Sequence, residues 1–249
     1  MRILKRAIPI AILLSIWAIA SRLYASPLLP GPDHVTRALA SSVRDGSLSW
    51  ALATTLGRLA IGYVLALVFG VVFGFLCAKV AWIGSSLGRA LTGLGSVPSV
   101  CWLPLAILWF GLSETAIQVV VVLGALVPIA IATEASVRHV PSELEQVGRT
   151  MGARGVVLLA TITLPAAAVG IVAGAKLGFG FAVRALLAAE LVFVSGGLGQ
   201  LLETGRDMGD TALVASVIVV LLVIGQLVEW ALFSRVERAL VRRFGGAPA

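Results

Sequence analysis

A long apolar stretch decides the class of this protein: residues 51–77 have the sequence ALATTLGRLAIGYVLALVFGVVFGFLC, in which Arg58 is the one charged side chain. A helix needs about 20 apolar residues to cross the hydrocarbon core of a bilayer, so this stretch is long enough to span a membrane. The rest of the chain has the same character, since 59% of its 249 residues are hydrophobic and 12% are charged. Soluble domains carry about 25% charged residues. We therefore expect an all-α integral membrane protein with no soluble catalytic domain.

Similar apolar runs predict about six transmembrane helices, which would form a single transmembrane domain covering residues 1–249. The first run follows a basic start and resembles a secretory signal, but we interpret it as a retained helix. Residues 26–49 are polar and rich in proline, so they are predicted to form the longest loop, and Gly84–Arg89 is predicted to form a short one. Pro98 and Pro104 remove helix hydrogen bonds and predict a kink in the third span. The predicted spans are Ala7–Tyr24, Ala51–Cys77, Ala90–Leu112, Ala116–Val137, Ala166–Phe193 and Ala212–Trp230.

The distribution of lysine and arginine orients these spans. With six spans, both termini lie on one side of the membrane. The loops on that side contain twelve Lys and Arg residues, against four in the opposite loops. Cytoplasmic loops of membrane proteins carry an excess of these residues. We therefore predict that both termini and the polar segment Arg138–Gly155 are cytoplasmic.

Two of the spans carry small residues at four-residue intervals, which places them on one helix face. These rows are Gly70 and Gly74 in the second span, and Ala166, Gly170, Gly174 and Gly178 in the fifth. Small residues on one face let a neighbouring backbone approach closely. We interpret both rows as helix-packing surfaces.

The chain offers no set of side chains for catalysis or for metal binding. Its two histidines, His34 and His139, lie in different loops on opposite sides of the membrane, so they cannot share a metal ion. Ser195, in the sequence SGGLG of Ser195–Gly199, has no histidine on its span or loop to act as a base. A nucleotide-binding GxxxxGK[ST] sequence is also absent. We predict no catalytic residue, no metal site and no nucleic-acid partner.

The predicted cytoplasmic segment contains a short amphipathic helix. Pro141 fits its start and Ser142 is predicted to cap it, while Glu143 and Glu145 suit the positive end of a helix. Gly152 is predicted to end it. Its apolar residues fall at three- and four-residue intervals and form one stripe, which contains Leu144, Val147, Gly148 and Met151. Either the protein's own loops or a partner protein must cover this stripe.

Three pieces of sequence resemble one family. Gly152, nine further residues and then Ile162–Pro165 match the G-x9-I-x-L-P part of the "EAA" signature of permease subunits of binding-protein-dependent ATP-binding-cassette (ABC) importers. The sequence PSVCWLPLAILWFG, Pro98–Gly111, is similar to the third span of the nitrate/sulfonate/taurine branch. The pair Ala189-Glu190, followed by Ser195–Gly199, is similar to the end of that branch's fifth span. All three pieces occur in the order that the family has.

The chain departs from the family at two places. The "EAA" triplet is replaced by Gln146-Val147-Gly148, so the usual glutamate is missing. Val183-Arg184 stands where the branch has an aromatic and an apolar residue. The first departure bears on coupling to an ATPase and the second on the choice of substrate.

The resemblance implies a type I ABC importer permease fold in the bacterial inner membrane. A second copy of the permease would complete the pathway as a homodimer. Two cytoplasmic ATPase subunits would bind ATP and Mg, so this chain itself would hold no cofactor. A periplasmic or lipid-anchored binding protein would deliver the substrate, a small anionic or polar solute of the nitrate/sulfonate/taurine type or a vitamin or pyrimidine precursor. A secondary transporter or channel is the alternative, and an intramembrane enzyme comes third.

Two groups of residues are predicted to carry this function. The coupling segment, about residues 138–163, would dock the ATPase through Glu143, Glu145, Gln146, Val147, Gly148, Met151, Gly152, Ile162 and Pro165. The pathway candidates are the proline-rich break with its tryptophans and the charges inside the fifth span, because charges at this depth face a cavity or a partner. They are Pro98, Trp102, Pro104, Trp109, Lys176, Arg184 and Glu190.

Overall fold

A computed structural model describes residues 2–24, 28–192 and 196–244, and these ranges are helical apart from short turns, with no β-strand. The all-α prediction is confirmed. Phe193, the predicted end of the fifth span, and Ser195 lie outside the described residues. The α-helices are α1 (Arg2–Tyr24), α2 (Pro32–Arg44), α3 (Ser47–Lys79), α4 (Ala81–Ile83), α5 (Arg89–Gly95), α6 (Leu103–Phe110), α7 (Glu114–Arg138), α8 (Ser142–Thr150), α9 (Gly155–Leu158), α10 (Leu164–Val192), α11 (Leu198–Asp207), α12 (Thr211–Val228) and α13 (Ser234–Phe244).

Several of these helices are joined end to end by single turns of a different helix type. Residues Gly84–Gly88, Leu159–Thr163 and Glu229–Phe233 form π-helical turns, and Ser99–Trp102 form a 3-10 turn. Among the described residues, four helical stretches are long and apolar enough to cross a membrane, and the number is five if a bent pair of shorter helices is counted as one span. The first predicted span lies in α1, whose described apolar part, Ala11–Leu23, is shorter. The four long stretches are Ser47–Lys79, Glu114–Arg138, Gly155–Val192 and Thr211–Arg243.

The third span is broken, as its prolines predict. Its two halves, Gly84–Gly95 and Ser99–Phe110, meet at an angle of 99°. Pro98 lies at the break and begins the 3-10 turn. Pro104 has a different role from the one predicted, because it lies in the first turn of α6. A proline there loses no helix hydrogen bond, so Pro104 starts a helix and does not kink one.

Both predicted loops contain helices instead. Residues 26–49 hold α2, which has Gly31 as its N-cap, Pro32 as its first residue and Asp33 in its first turn. Proline is favoured at this position, so the residue that indicated a loop marks a helix start. The segment Gly84–Arg89 continues the helix through a π-helical turn.

The chain divides into two compact units. The first contains Met1–Thr55 and Glu190–Ile224, and the second contains Leu56–Ala189 and Gly225–Ala249. In the first unit, the indole of Trp17 donates to the carbonyl of Pro30 at 3.1 Å. The organisation as a single transmembrane domain stays a prediction.

In the second unit, α7 supplies much of the buried core, and the glycine rows of α3 and α10 both lie against it. A methyl group at Gly70 would lie 2.8 Å from Ile129 Cγ2, and one at Gly178 would lie 2.5 Å from Ile129 Cγ1. Gly74 and Gly174 also face α7 with no room for a larger side chain. The structure confirms the interpretation of both rows as packing surfaces. The fully buried apolar residues of α7 are Ala116, Ile117, Val120, Val121, Ala125, Ile129 and Ala130.

Candidate functional site

The amphipathic helix of the coupling segment is α8. It begins one residue earlier than a cap at Ser142 predicts: Ser142 is already its first helical residue, Pro141 is the N-cap position, and no side chain caps the helix. Ser142 therefore does not cap it, because a residue inside the first turn cannot occupy the cap position. The helix ends as predicted before Gly152, whose φ of +89° favours glycine. The N–H of Ala153 donates to the carbonyl of Gly148 at 2.9 Å and closes this end.

Gly148 holds α8 close to the helix that follows it. It is buried, and its Cα faces the side chains of Leu158 and Ile162 so closely that a methyl group would overlap the end of Ile162. The sequence left open whether the protein itself or a partner covers the apolar stripe. In the structure, one residue of the stripe, Gly148, packs against the protein itself. The other three, Leu144, Val147 and Met151, are 46%, 56% and 82% exposed.

Glu145 makes the second contact of α8 with its own chain. Lys79, the last residue of α3, donates to the Glu145 carboxylate, and the hydroxyl of Thr163 donates to the same oxygen at 3.1 Å. Arg149 lies 3.7 Å from the other oxygen. The hydrogen bond from Lys79 is the largest influence on the pKa of Glu145 and lowers it below its usual value. Glu145 is thus turned inward.

The remaining coupling candidates divide between the two faces of this segment. Glu143 and Gln146, which stands where the family has a glutamate, are both exposed. Ile162 and Pro165 are half-buried at the start of the long helical stretch Gly155–Val192. The geometry therefore gives α8 an inner face fixed to α3 and α9 and an outer face that is apolar and open.

Lys176 forms an ion pair with a residue of another helical segment of the second unit. Its ammonium group donates to the carboxylate of Glu229, in the π-helical turn after α12. The two side chains are 45% and 31% exposed. This agrees with the expectation that a charge at mid-span faces a cavity or a partner.

Arg184 is exposed and forms no ion pair within the described parts of the chain. Its guanidinium carbon lies 5.2 Å from the ring centroid of Phe181, one helical turn away. The assignment of Arg184 to the pathway stays a prediction.

Glu190 is fully buried, and its contacts lie within the first unit. The hydroxyl of Thr55 lies 3.0 Å and 2.9 Å from the two carboxylate oxygens, to which it donates, and the N–H of Gly199 donates at 3.0 Å. Thr55 in turn accepts from the N–H of Leu198 at 2.8 Å. Gly197 packs against the carboxylate with no space for a side chain. Glu190 and Thr55 thus fix the start of α11, while the assignment of Glu190 to the pathway stays a prediction.

Sequence reasoning missed the partner of Arg58. The Nε of this buried residue donates to Glu114 at 2.7 Å, and its guanidinium makes a second bond to the same carboxylate. The amide of Gln118 donates to the Arg58 carbonyl at 3.2 Å, so α3 and α7 are joined twice. A charge inside a span was the available signal, but only the fold identifies Glu114 as its partner.

The broken third span presents a mixed surface. Pro98 and Pro104 are exposed and Trp102 is half-buried. Trp109 is 62% exposed, and its ring contacts that of Phe110 edge to face with centroids 6.4 Å apart. These side chains lie at or near the surface of the chain, and their assignment to the pathway stays a prediction.

These features define a helical protein with several apolar helices long enough to cross a membrane, and its described residues contain no group of side chains that could hold a metal ion. The family model of the "binding-protein-dependent transport system inner membrane component" matches residues 70–243. The chain belongs to this family, whose members are permeases and not ATPases. The resemblance found in the sequence is thereby confirmed.

Individual relatives agree with this assignment. The taurine transport system permease protein TauC of Escherichia coli is 30% identical over 241 residues, which cover 94% of this chain and 86% of TauC. The riboflavin transport system permease protein RibX of Chloroflexus aurantiacus is 30% identical over 237 residues, covering 94% of this chain and 88% of RibX. The solved MetNI methionine ABC transporter superposes with a TM-score of 0.69 at 23% identity, over 78% of this chain and 96% of the matched chain. That similarity confirms the type I permease fold.

Proposed function

We propose that this chain is the transmembrane subunit of an ATP-driven importer, and that it forms the substrate pathway and couples it to a separate ATPase through α8. The supporting observation is the exposed apolar face of Leu144, Val147 and Met151 on a helix whose opposite face is fixed to the chain. An apolar face of this kind on a cytoplasmic helix needs a protein partner to cover it. Two copies of the chain, two ATPase subunits and a binding protein make up the complex.

The inner face of α8 transmits motion to the spans. Gly148 packs on Leu158 and Ile162, and Glu145 bonds to Lys79 and Thr163. A movement of α8 must therefore carry the end of α3 and the start of the stretch Gly155–Val192 with it. When nucleotide binding moves the ATPase subunits, α8 moves as a rigid body and the pathway changes the side on which it opens. Both termini and α8 face the cytoplasm in this arrangement.

The substrate is a small anionic or polar solute. The name of one relative specifies taurine, a sulfonate, and that of another specifies riboflavin, a vitamin. Arg184 supports the anionic alternative, because an exposed arginine without an ion pair among the described residues attracts a sulfonate or another oxyanion. Nitrate and pyrimidine precursors belong to the same range of candidates.

Retention of the ATPase tests the coupling role of α8. In the double variant Val147→Asp/Met151→Asp, two carboxylates would be buried unpaired in the proposed contact, at a cost of at least several kcal/mol. We expect the ATPase subunit to be lost when the affinity-tagged permease is purified from membranes. The matched control is Val43→Asp/Met208→Asp, which changes two apolar residues that are 56% and 76% exposed on the predicted outer side. Equal ATPase yield from both double variants would refute the docking role of α8.

A further inference from the structure

A basic cavity adjoins α8 on the side away from its exposed apolar face. It has a volume of about 530 Å³ and lies where α8 meets the end of α3 and the start of α9. Its charged lining consists of Lys79, Arg149, Arg154 and Glu145. Three cations and one anion therefore line one cavity, and its net charge is positive.

The contacts inside the cavity leave two arginines available for a ligand. Lys79 is bonded to Glu145, and this pair neutralises itself. Arg149 approaches the same carboxylate only to 3.7 Å, and its side chain is 65% exposed. Arg154 is exposed and makes no ion pair within residues 2–24, 28–192 and 196–244. The open volume next to two guanidinium groups suits an oxyanion, which arginine binds with two parallel hydrogen bonds.

The surroundings of the cavity indicate its depth in the membrane. Lys79 ends a helical stretch that is long and apolar enough to cross a membrane, and it is the first charged residue after Arg58 in that stretch, so we place the cavity at the level where the apolar part of α3 ends. Trp82, three residues beyond, is 74% exposed, and tryptophan is enriched at the level of lipid headgroups. Val156 and Val157 of α9 lie in sequence between the lining residues Gly155 and Leu158, and they are 79% and 58% exposed. The positive cavity thus has exposed apolar side chains beside it, and their contact with water is unfavourable.

We propose that this cavity binds the headgroup phosphate of an anionic phospholipid, with Arg149 and Arg154 on the phosphate and the acyl chains against Val156 and Val157. Basic pockets at the membrane surface bind anionic headgroups in this way. A free phosphate ion has the same oxyanion chemistry, but it has no apolar part that could contact the exposed valines. The bound lipid contacts α8 and α9 together, so the anionic lipid content of the membrane acts on the segment that joins them. This inference rests on the membrane position of the cavity and is independent of ATPase docking.

Lipid titration of the purified full-length permease tests the site. The protein in a neutral detergent is titrated with phosphatidylglycerol or phosphatidylcholine, and bound lipid is counted by mass spectrometry of the intact complex. We expect tighter binding of phosphatidylglycerol, and a loss of about fivefold in its affinity for each arginine removed in Arg149→Gln/Arg154→Gln. The double variant Arg89→Gln/Arg242→Gln removes two exposed arginines outside the cavity and should bind as the unchanged protein does. Arg154→Lys keeps the charge but loses the two parallel hydrogen bonds, so its affinity should lie between those of the unchanged protein and Arg154→Gln, which separates a charge effect from misfolding.

Further experiments distinguish a lipid headgroup from free inorganic phosphate as the source of the oxyanion. Val156→Ser/Val157→Ser should weaken phosphatidylglycerol binding, and millimolar inorganic phosphate should compete poorly with it. Displacement of the lipid by inorganic phosphate at equal affinity would assign the cavity to a soluble anion and overturn the proposal. Unchanged phosphatidylglycerol affinity in Arg149→Gln/Arg154→Gln would also overturn it. If that variant keeps its lipid but loses the ATPase subunit, the cavity serves a protein partner and the lipid proposal fails.

Discussion

Arg184 is the residue on which substrate recognition depends in our proposal. Replacement by leucine removes an exposed charge of α10 that forms no ion pair among the described residues. A hydrogen bond to a charged group contributes about 1.5–3 kcal/mol, so Arg184→Leu should lower uptake of an anionic substrate at least about tenfold. Uptake into proteoliposomes containing the permease, its ATPase and its binding protein measures this.

Two controls accompany this substitution. Arg184→Lys keeps the charge and should retain part of the uptake, while Arg44→Leu removes an exposed arginine of α2 and should leave it unchanged. Uptake at the original rate by Arg184→Leu would exclude Arg184 from recognition of that substrate.

Gly148 carries a second prediction at the scale of one residue. Because a methyl group there would overlap Ile162, Gly148→Ala should displace α8 at a cost of about 1–3 kcal/mol, as overpacking does elsewhere. The freed helix should be cut faster by trypsin after Arg149. Gly93→Ala is the matched control, since Gly93 is also helical and has open space around its Cα. Equal cleavage rates in the two variants would show that the contact does not hold α8.

The roles of Arg184 and Gly148 are not equally predictable from the sequence. Arg184 is recognisable from the sequence because a charge in an apolar span is costly wherever it lies. The inward turn of Gly148 was not predictable, since glycine fits an apolar stripe and a close contact equally well. The same holds for Arg58 and Thr55, whose partners are far away in the chain.

At the scale of an element, the broken third span makes a testable surface. Cysteines at Ser99 and Trp102 should react with a membrane-impermeant thiol reagent in at least one nucleotide state if this break lines a water-filled pathway. The native Cys101 is exposed and must first be changed to serine, whereas Cys77 is buried. Ala106→Cys, at a position only 1% exposed in α6, is the unreactive control. Protection of both test positions in every state would favour a packed bend.

The positions of the membrane-spanning helices were predicted correctly where the length of the apolar run alone determines them. The second and fourth spans fall within α3 and α7 because long runs without polar interruption have few alternatives in a bilayer. Helix α2 was missed because its proline and glycine neighbours also favour turns, and the cap at Ser142 was placed one residue too late. Short polar helices depend on tertiary contacts that a local pattern does not contain.

At the scale of the whole molecule, one ion pair links spans that are distant in sequence. Lys176→Met or Glu229→Gln alone leaves an unpaired charge near the middle of the membrane, at a cost of about 2.5–3.5 kcal/mol on insertion scales. The double variant removes both charges and should recover much of that loss. Thermal unfolding of the four proteins in detergent gives the coupling. Additive losses in the double variant would mean that the pair does not stabilise the fold.

The bend of the third span also has a consequence for how the chain is made. Each half, Gly84–Gly95 or Ser99–Phe110, is only about 18 Å long at 1.5 Å per residue, whereas the hydrocarbon core is about 30 Å thick. Neither half could leave the translocon by itself as a stable segment. The ribosome must deliver both halves before either can partition into lipid, so biogenesis of this region is delayed until residues beyond Phe110 have emerged.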